Sequence, residues 1–293
     1  MTAITNAIGF GMVTAAILAV ATVAVTLQYS VTQVPNFAQG DIMTLGAYAA
    51  YQTQVFAPNL LLEAVVAIVV CALFSLGMNY SLIQWFQRRG TRNIIILVVT
   101  AAVSLILQNS ILAFYGGAPV EFKLPATEPA DYGPFRWTSR DIWIMVCAVL
   151  VMLSVHVILR YTKFGKSQRA VSDDPQLARV SGIDADRVIN LTWLWAGAMT
   201  GLAGFILAAS IGAFDPSFGF GFLLVILAAA VVGGIGQAYG AMLGALLIGV
   251  AMEVSAVYIS SEYKQVVAFV ILIAVLLLRP SGLIAARAKN VVY

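Results

Sequence analysis

The chain has 293 residues, of which 61% are hydrophobic and only 10% are charged, and its formal net charge is +3. Soluble globular proteins carry about 25% charged residues, so this composition excludes an ordinary soluble protein. Apolar runs of about 20 residues recur along the whole chain, and that length lets a helix cross a bilayer. A transmembrane β-barrel would instead alternate in polarity over segments of about ten residues. The composition therefore predicts an all-α, polytopic bundle of transmembrane helices.

The apolar segments give the candidate spans in chain order. They occupy residues 8–27, 38–57, 60–83, 93–114, 141–159, 188–211, 218–232, 236–258 and 265–278. The segment 218–232 is short, so we expect a broken or re-entrant helix there. No Lys or Arg occurs in residues 1–87. A cleavable signal peptide needs a basic start, so we predict that the first segment is retained as a helix. We expect about eight or nine spans in one transmembrane domain over residues 1–293.

The polar interruption at residues 36–41 separates the first two apolar segments. Pro35 precedes it and disfavours the α-conformation at Val34. Asp41 is predicted near the start of the next helix, where a negative charge meets the positive end of the helix dipole. Two interpretations are equally open here. The interruption is either a helix cap at a span boundary or a broken helix beside the route of a solute.

Basic residues predict the orientation of the chain. Most of the 16 Lys and Arg residues fall in three clusters: Arg88, Arg89 and Arg92; Arg160, Lys163, Lys166, Arg169, Arg179 and Arg187; and Arg279, Arg287 and Lys289. The positive-inside rule places these clusters in the cytoplasm, together with the C-terminus. Residues 115–140, 212–217 and 259–264 then lie outside. The side of the N-terminus depends on whether the segment 38–57 crosses fully.

The longest strongly charged stretch between apolar segments covers residues 164–190. Its centre predicts a short capped helix. The carboxylate of Asp173 or Asp174 can accept hydrogen bonds from free N–H groups at a helix start. Pro175 suits the first helical position, and Gly182 suits the left-handed position that ends a helix. This pattern favours a handle for a soluble partner over the alternative, an ordinary capped interfacial helix that only completes a connection.

Single polar residues elsewhere allow more than one interpretation. Glu253 lies in an apolar segment, where carboxylates usually face a cavity or a partner. It is close to the predicted outer end, so snorkelling to the surface is equally open. His156, the only histidine, is predicted to be a packed or interfacial residue. Glycines at spacing four predict close helix packing, and they are Gly197 with Gly201, and Gly236, Gly240 and Gly244.

Catalytic and metal chemistry is not predicted. One His and two separated Cys cannot build a metal cluster. Cys71 and Cys147 both lie in apolar runs, which favours packing over a disulfide. Residues 165–167 (GKS) match the end of a nucleotide-binding P-loop, but its first glycine would fall at Arg160 and no strand precedes it. We therefore expect no metal, no cofactor and no ATP on this chain.

Several short stretches carry a family resemblance, in order, over nearly the whole chain. They are residues 36–41 (NFAQGD) with 45–48 (LGAY), 104–109 (SLILQN), 174–183 (DPQLARVSGI) with 187–189 (RVI), 232–236 (VGGIG), 240–244 (GAMLG) and 279–283 (RPSGL). Together they resemble the membrane permease subunits of ABC importers for branched-chain amino acids. That family also includes permeases for amides and urea. A His is commoner in the family where Gln39 stands here.

The resemblance implies a type II-like ABC importer permease in the cytoplasmic membrane. It implies a second, paralogous permease subunit, with the translocation path between the two. Two ATP-binding subunits would carry ATP and Mg²⁺ on the cytoplasmic side, and a periplasmic or lipid-anchored solute-binding protein would dock outside. This chain would not be an enzyme and would bind no nucleic acid. The expected cargo is a branched-chain or other hydrophobic amino acid, with urea or a short amide as the alternative.

An ion-coupled secondary transporter is a remote alternative, because such proteins place ionisable residues at mid-membrane and the carboxylates here lie mainly near span ends. Within the permease interpretation, residues 162–187 are the expected coupling loop to the ATPase. Its expected contact residues are Asp173, Asp174, Pro175, Leu177, Arg179, Val180 and Gly182. The residues expected beside the translocation path are Asn36, Gln39, Asp41, Asp215 and Glu253.

Overall fold

A computed structural model describes residues 2–123, 128–132 and 135–284, and these form helices with four short strands. The helices are α1 (Thr2–Thr32), α2 (Gln39–Phe56), α3 (Leu60–Met78), α4 (Gln84–Arg88), α5 (Asn93–Tyr115), α6 (Ser139–Tyr161), α7 (Lys163–Asp173), α8 (Pro175–Val180), α9 (Ala185–Ile211), α10 (Phe218–Gly233), α11 (Ala238–Tyr258) and α12 (Lys264–Leu278). The strands are β1 (Val120–Glu121), β2 (Ala130–Tyr132), β3 (Phe135–Trp137) and β4 (Ala213–Phe214). A π-helix (Asn79–Ile83) joins α3 to α4, and a 3₁₀ turn (Ser261–Tyr263) precedes α12.

The prediction of a polytopic helical bundle is confirmed. In the described part of the chain, 7 helical segments are long and apolar enough to cross a membrane. The helix α10 has 16 residues, which is about 24 Å and shorter than the roughly 30 Å hydrocarbon core. The short helix expected at residues 218–232 is therefore present. The helix α2 has 18 residues and is largely buried among its neighbours.

The strands collect at one end of the bundle, which we call the strand end. Strand β1 pairs antiparallel with β4, and β2 pairs antiparallel with β3, so the chain around 120–137 meets the connection between α9 and α10. The start of α1 lies at the same end, because Gly9 packs against the rings of Phe135 and Trp137.

The basic clusters collect at the opposite end, which we call the α8 end. Arg88 of the first cluster and Arg179 of the second both contact the carboxylate of Asp186, at 3.4 and 2.7 Å. The chain after α12 also returns here, since the amide of Leu283 donates to the carbonyl oxygen of Val232 at 2.8 Å. Arg287 and Lys289 of the third cluster lie outside the described residues. Which end faces the cytoplasm stays a prediction, as does the single-domain organisation.

Small residues let the central helices approach closely. A Cβ atom on Gly201 would lie 2.3 Å from the carbonyl oxygen of Ala67, and one on Gly204 would lie 2.0 Å from that of Met43. The packing predicted for Gly197 and Gly201 is thus confirmed. For the second glycine set the prediction is wrong at Gly236, which has a φ of +88° and forms the turn before α11. Gly240 and Gly244 do pack against the end of α10.

The two cysteines and the histidine occupy packed positions. Both Cys71 and Cys147 are free, and the thiol of Cys71 donates to the carbonyl oxygen of Ile42 at 3.2 Å. The ring nitrogen Nδ1 of His156 lies 3.0 Å from the hydroxyl of Tyr239. The predictions of packing cysteines and of a packed or interfacial histidine are therefore confirmed.

Gly204 gives a direct test of the close helix approach. We expect Gly204→Val to lower the midpoint of thermal unfolding in detergent, because the new Cβ meets the backbone of α2 and backbone atoms cannot rotate away. Overpacking of this kind costs about 1–3 kcal/mol. The matched control is Gly77→Val, where a Cβ would meet nothing within 4 Å. Equal unfolding midpoints for the two variants would contradict the described packing of α2 on α9.

Candidate functional site

The interruption between α1 and α2 is a break inside the bundle. Helix α1 ends at Thr32, and Gln33 has the left-handed φ of +55°. The backbone N–H of Phe37 donates to Thr100 Oγ1 at 3.2 Å. Four residues later, Asp41 accepts a short hydrogen bond from Ser104. Ser104 lies about 16 Å along α5 from its start, so α2 begins at mid-depth in the bundle. This geometry supports a broken helix over a cap at a span boundary.

A chain of buried side chains fastens this break to two other helices, α3 and α9. We call it the buried amide network, and it consists of Gln28, Asn36, Gln39, Ser75 and Thr200. The amide nitrogen of Asn36 donates to the side-chain oxygens of Gln28 and Gln39, at 3.1 and 3.2 Å. At one end of the network, Gln28 donates to Ser75 Oγ on α3 at 3.2 Å. At the other end, Gln39 donates to Thr200 Oγ1 on α9.

Two further hydrogen bonds connect the buried amide network to the backbone. The hydroxyl of Ser75 donates to the carbonyl oxygen of Trp193 at 2.9 Å. The backbone N–H of Ala38 donates to Asn36 Oδ1 at 3.0 Å, which closes the turn before α2. An unpartnered amide in an apolar medium costs several kcal/mol. Partnering these groups removes that cost and also fixes the position of the break relative to α3 and α9.

The break is closed to solvent in this conformation. Gln39 and Asp41 are 0% exposed, and Asn36 is 2% exposed. The second carboxylate oxygen of Asp41, Oδ1, has no hydrogen-bond partner in the part of the chain that the structure describes. A solute could reach these groups only after the helices around the break have moved apart. The structure therefore brings three of the five predicted path residues together in a closed state.

Asp215 lies nearer the strand end, under an aromatic cluster. Its carboxylate accepts hydrogen bonds from the backbone N–H of Ser217 at 2.7 Å and from the same residue's hydroxyl, which shapes the turn before α10. Beside this turn, the ring of Tyr48 lies 4.6 Å from that of Tyr115 and 5.1 Å from that of Phe214. The hydroxyl of Tyr48 is buried and has no hydrogen-bond partner among the described residues. The three rings cover the interface between α2 and α5 at the strand end.

Glu253 belongs to a separate contact. Its carboxylate forms an ion pair with Lys264 Nζ at 2.7 Å and accepts a hydrogen bond from Thr14 Oγ1 at 3.0 Å. Thr14 and Gln28 lie 14 residues apart on α1, which is about 21 Å. Glu253 is thus remote from the buried amide network, and it ties α11 and α12 to the first half of α1.

The coupling loop has the predicted capped helix. The carboxylate of Asp174 accepts hydrogen bonds from the N–H groups of Gln176 and Leu177, at 2.8 and 3.0 Å. Pro175 is the first residue of α8, and Gly182 follows the helix with a φ of +82°. Asp174, rather than Asp173, is therefore the capping residue, because Asp173 ends the preceding helix α7.

The exposed surface of α8 includes two apolar side chains, which a helix that only connects two segments would not need. Leu177 is 64% exposed and Val180 is 87% exposed, while Ala178 between them is buried. At the same end of the helix, Arg179 holds Asp186 at the start of α9. Burying apolar surface contributes roughly 25 cal/mol per Å², so these side chains offer a favourable contact to a partner. The contact between Arg179 and Asp186 also links α8 to α9, the helix that contains Thr200.

Some members of these sites could not be identified from the sequence. Gln28, Ser75 and Thr200 are single polar residues in apolar helices, and their only signal is that isolation. The π-helix at Asn79–Ile83 also had no signal, although its Asn79 donates to Asn190 Oδ1 at 2.7 Å. Among the described residues, no three His, Cys, Asp or Glu side chains lie close enough to hold a metal ion.

Comparisons with known proteins match nearly the whole chain to permeases of branched-chain amino acid transport systems. The profile of the family described as "Branched-chain amino acid transport system / permease component" matches residues 7–276. The high-affinity branched-chain amino acid permease protein LivH of Salmonella typhimurium is 32% identical over 275 residues, 88% of each chain. BraD of Pseudomonas aeruginosa, which has the same description, is 30% identical over 291 residues, 94% of this chain and 93% of its own.

A more distant relative covers less of the chain. The ribose import permease protein RbsC of Escherichia coli is 29% identical over 195 residues, which are 61% of this chain and 59% of its own. No solved structure matches the chain. The chain belongs to the branched-chain amino acid transport system permease family, whose members are membrane-embedded transport subunits and not catalysts.

Proposed function

We propose that this chain is the permease subunit of an ATP-driven importer for branched-chain or other hydrophobic amino acids. The observation that carries the proposal is the match to LivH and BraD over most of each chain, because both are permeases of branched-chain amino acid transport systems. The ribose permease covers a smaller share, so a sugar is a weaker candidate. Urea and short amides are the second candidate, because Gln39 stands where the family more often has His.

We propose the following assembly. A paralogous permease subunit completes the path, two ATP-binding subunits bind the α8 end, and a solute-binding protein docks at the strand end. ATP and Mg²⁺ bind on the ATPase subunits. The α8 end and the C-terminus face the cytoplasm, in accord with the basic residues gathered there. The strand end faces outward, where its turns and aromatic cluster meet the binding protein.

Uptake by the reconstituted importer tests the function. With all subunits and the binding protein in liposomes, we expect ATP-dependent accumulation of labelled leucine, reduced by excess isoleucine or valine and unaffected by excess urea. Matched liposomes that lack the ATPase subunits should accumulate none. Leucine uptake in those liposomes, driven by an ion gradient, would favour a secondary transporter instead. Accumulation of urea or acetamide with no response to leucine would favour the second candidate.

The coupling role assigned to α8 has a sharp test. We expect Leu177→Asp with Val180→Asp to abolish ATP-driven uptake, or to release the ATPase subunits, because two charges replace the exposed apolar side chains. The permease fold should survive, since both side chains point away from it. The control is Gln176→Asp with Ser181→Asp, which adds the same charge near α8 and removes no apolar surface. Normal uptake by the first double variant would show that α8 is not the coupling helix.

Substitutions at Asn36 and at Asp215 should affect uptake and ATP hydrolysis in different ways. We expect Asn36→Leu to slow uptake several-fold, because it removes hydrogen bonds to both Gln28 and Gln39. Stimulation of ATP hydrolysis by the loaded binding protein should persist. Asp215→Ala should instead weaken that stimulation, since it releases the turn at the strand end.

Uptake and ATP hydrolysis are measured together in liposomes for both variants. The control for the amide is Asn109→Leu, at an exposed position whose side chain bonds only to its own helix. Unchanged uptake in Asn36→Leu and Asp215→Ala would leave both residues as structural caps and turns.

A further inference from the structure

A polar cavity lies at the α8 end, away from the break and the coupling helix. It has a volume of about 520 Å³ and is bounded by the ends of α1 and α6, by α7 and by the turn before α11. Its polar lining residues include Ser30, Arg160, Gln168, Arg169, Asp173 and Tyr239, together with Ser172 and Gln237. Neither the proposed translocation path nor the proposed ATPase contact uses the two arginines of this cavity.

Two features of this cavity favour an anion. Arg160 and Arg169 are both exposed and come from different helices, and guanidinium groups bind phosphate through paired N–H donors. The N-terminus of α11, a helix of 21 residues, opens into the same cavity, and no side chain caps it. Free N–H groups at a helix start attract phosphate. Asp173 also lines the cavity, and its carboxylate offsets one of the two arginine charges.

A buried acceptor in the same cavity indicates a ligand that also donates hydrogen bonds. Gln168 is only 2% exposed, and its side-chain oxygen has no partner among the described residues. A buried acceptor without a donor is unfavourable, and a bound hydroxyl group would supply the missing donor. A phosphate ester with free hydroxyl groups would satisfy both the arginines and this amide.

An apolar groove continues from the polar cavity. It has a volume of about 540 Å³ between α1, α6 and α11, and it shares Tyr239 with the cavity. The hydroxyl of Tyr239 meets His156 at this junction, at 3.0 Å. From His156 to Met145 the groove follows α6 for about 16 Å, which matches half of the roughly 30 Å hydrocarbon core. Leu153 and Leu246 on its walls are about half exposed, so the groove opens on an apolar surface.

We propose that the cavity and the groove together bind one anionic glycerophospholipid. The phosphate lies between Arg160, Arg169 and the start of α11, and the headgroup hydroxyls reach Gln168. One acyl chain lies in the groove beside α6. A soluble anion would leave the groove empty, whereas a lipid occupies both parts and stays in contact with the apolar surface. Basic residues at a membrane surface attract anionic lipids, which is consistent with this choice.

The bound lipid would hold α7 in place. Arg169 and Gln168 belong to α7, while the other walls belong to α1, α6 and α11. Helix α7 leads directly into α8. A headgroup that bridges these elements would fix the base of the coupling loop.

Native mass spectrometry of the purified full-length chain tests the proposal. The probes are phosphatidylglycerol and phosphatidylcholine with the same acyl chains, which differ in charge and in headgroup hydroxyls. We expect preferential retention of phosphatidylglycerol, and a loss of about ten-fold or more in its occupancy in Arg160→Ala with Arg169→Ala. The control, Arg89→Ala with Arg92→Ala, removes the same charge from another basic cluster and should retain the lipid. Equal retention of both lipids, or no effect of the first double variant, would overturn the proposal.

A second variant separates the lipid from a soluble anion. Val149 lines the groove and is 58% exposed, so Val149→Trp should obstruct the groove without disturbing the fold. We expect it to reduce lipid retention while both arginines remain. Inorganic phosphate, added as the competing probe, should not displace the lipid. If phosphate binds with the same dependence on the arginines and no lipid is retained, the site takes a soluble anion and the lipid assignment is wrong.

Discussion

The need to partner polar groups inside an apolar bundle governs the centre of this structure. Helix α2 begins at mid-depth, where its free N–H groups and the side chains of Asn36 and Gln39 have little access to water. An open amide there costs several kcal/mol, so the break is stable only with partners from other helices. Gln28 of α1 and Thr200 of α9 provide them directly, and Ser75 of α3 accepts a hydrogen bond from Gln28. The break is therefore held by hydrogen bonds rather than by apolar packing alone.

Close packing of small residues makes those hydrogen bonds geometrically possible. A Cβ on Gly201 or Gly204 would meet the backbone of α3 or α2 at 2.3 or 2.0 Å, so glycine alone permits these approaches. With wider separations, Gln39 could not reach Thr200. Helix association in membranes depends on such contacts, because lipid is as apolar as the side chains themselves and no hydrophobic effect drives the helices together. Packing and polar partnering thus reinforce each other around α9.

Local features were predictable from the sequence and distant partnerships were not. The capped helix α8 follows from signals within ten residues, since Asp174, Pro175 and Gly182 each have a defined place at a helix terminus. The buried amide network joins residues that lie up to 161 positions apart, and an isolated Thr200 does not indicate its partner. Gly236 was misassigned to a packing stripe because spacing alone cannot distinguish a helix face from a turn. Glu253 was predicted beside the path, but the structure shows it in an ion pair whose partner, Lys264, lies beyond the end of its helix.

Helix α9 connects the two candidate regions physically. Asp186 at its start holds Arg179 of α8, and Thr200 lies about 21 Å further along the same helix. Between them, Asn190 accepts hydrogen bonds from Asn79, which begins the π-helix, and from Gln84, which follows it. Helix segments of this kind are often found at functional sites. Under the proposed coupling role of α8, a shift of α8 would move α9, and the bond between Thr200 and Gln39 would then lengthen or break. We propose that the released amides bond to the ammonium and carboxylate of the transported amino acid, so the solute replaces the partners that the protein loses.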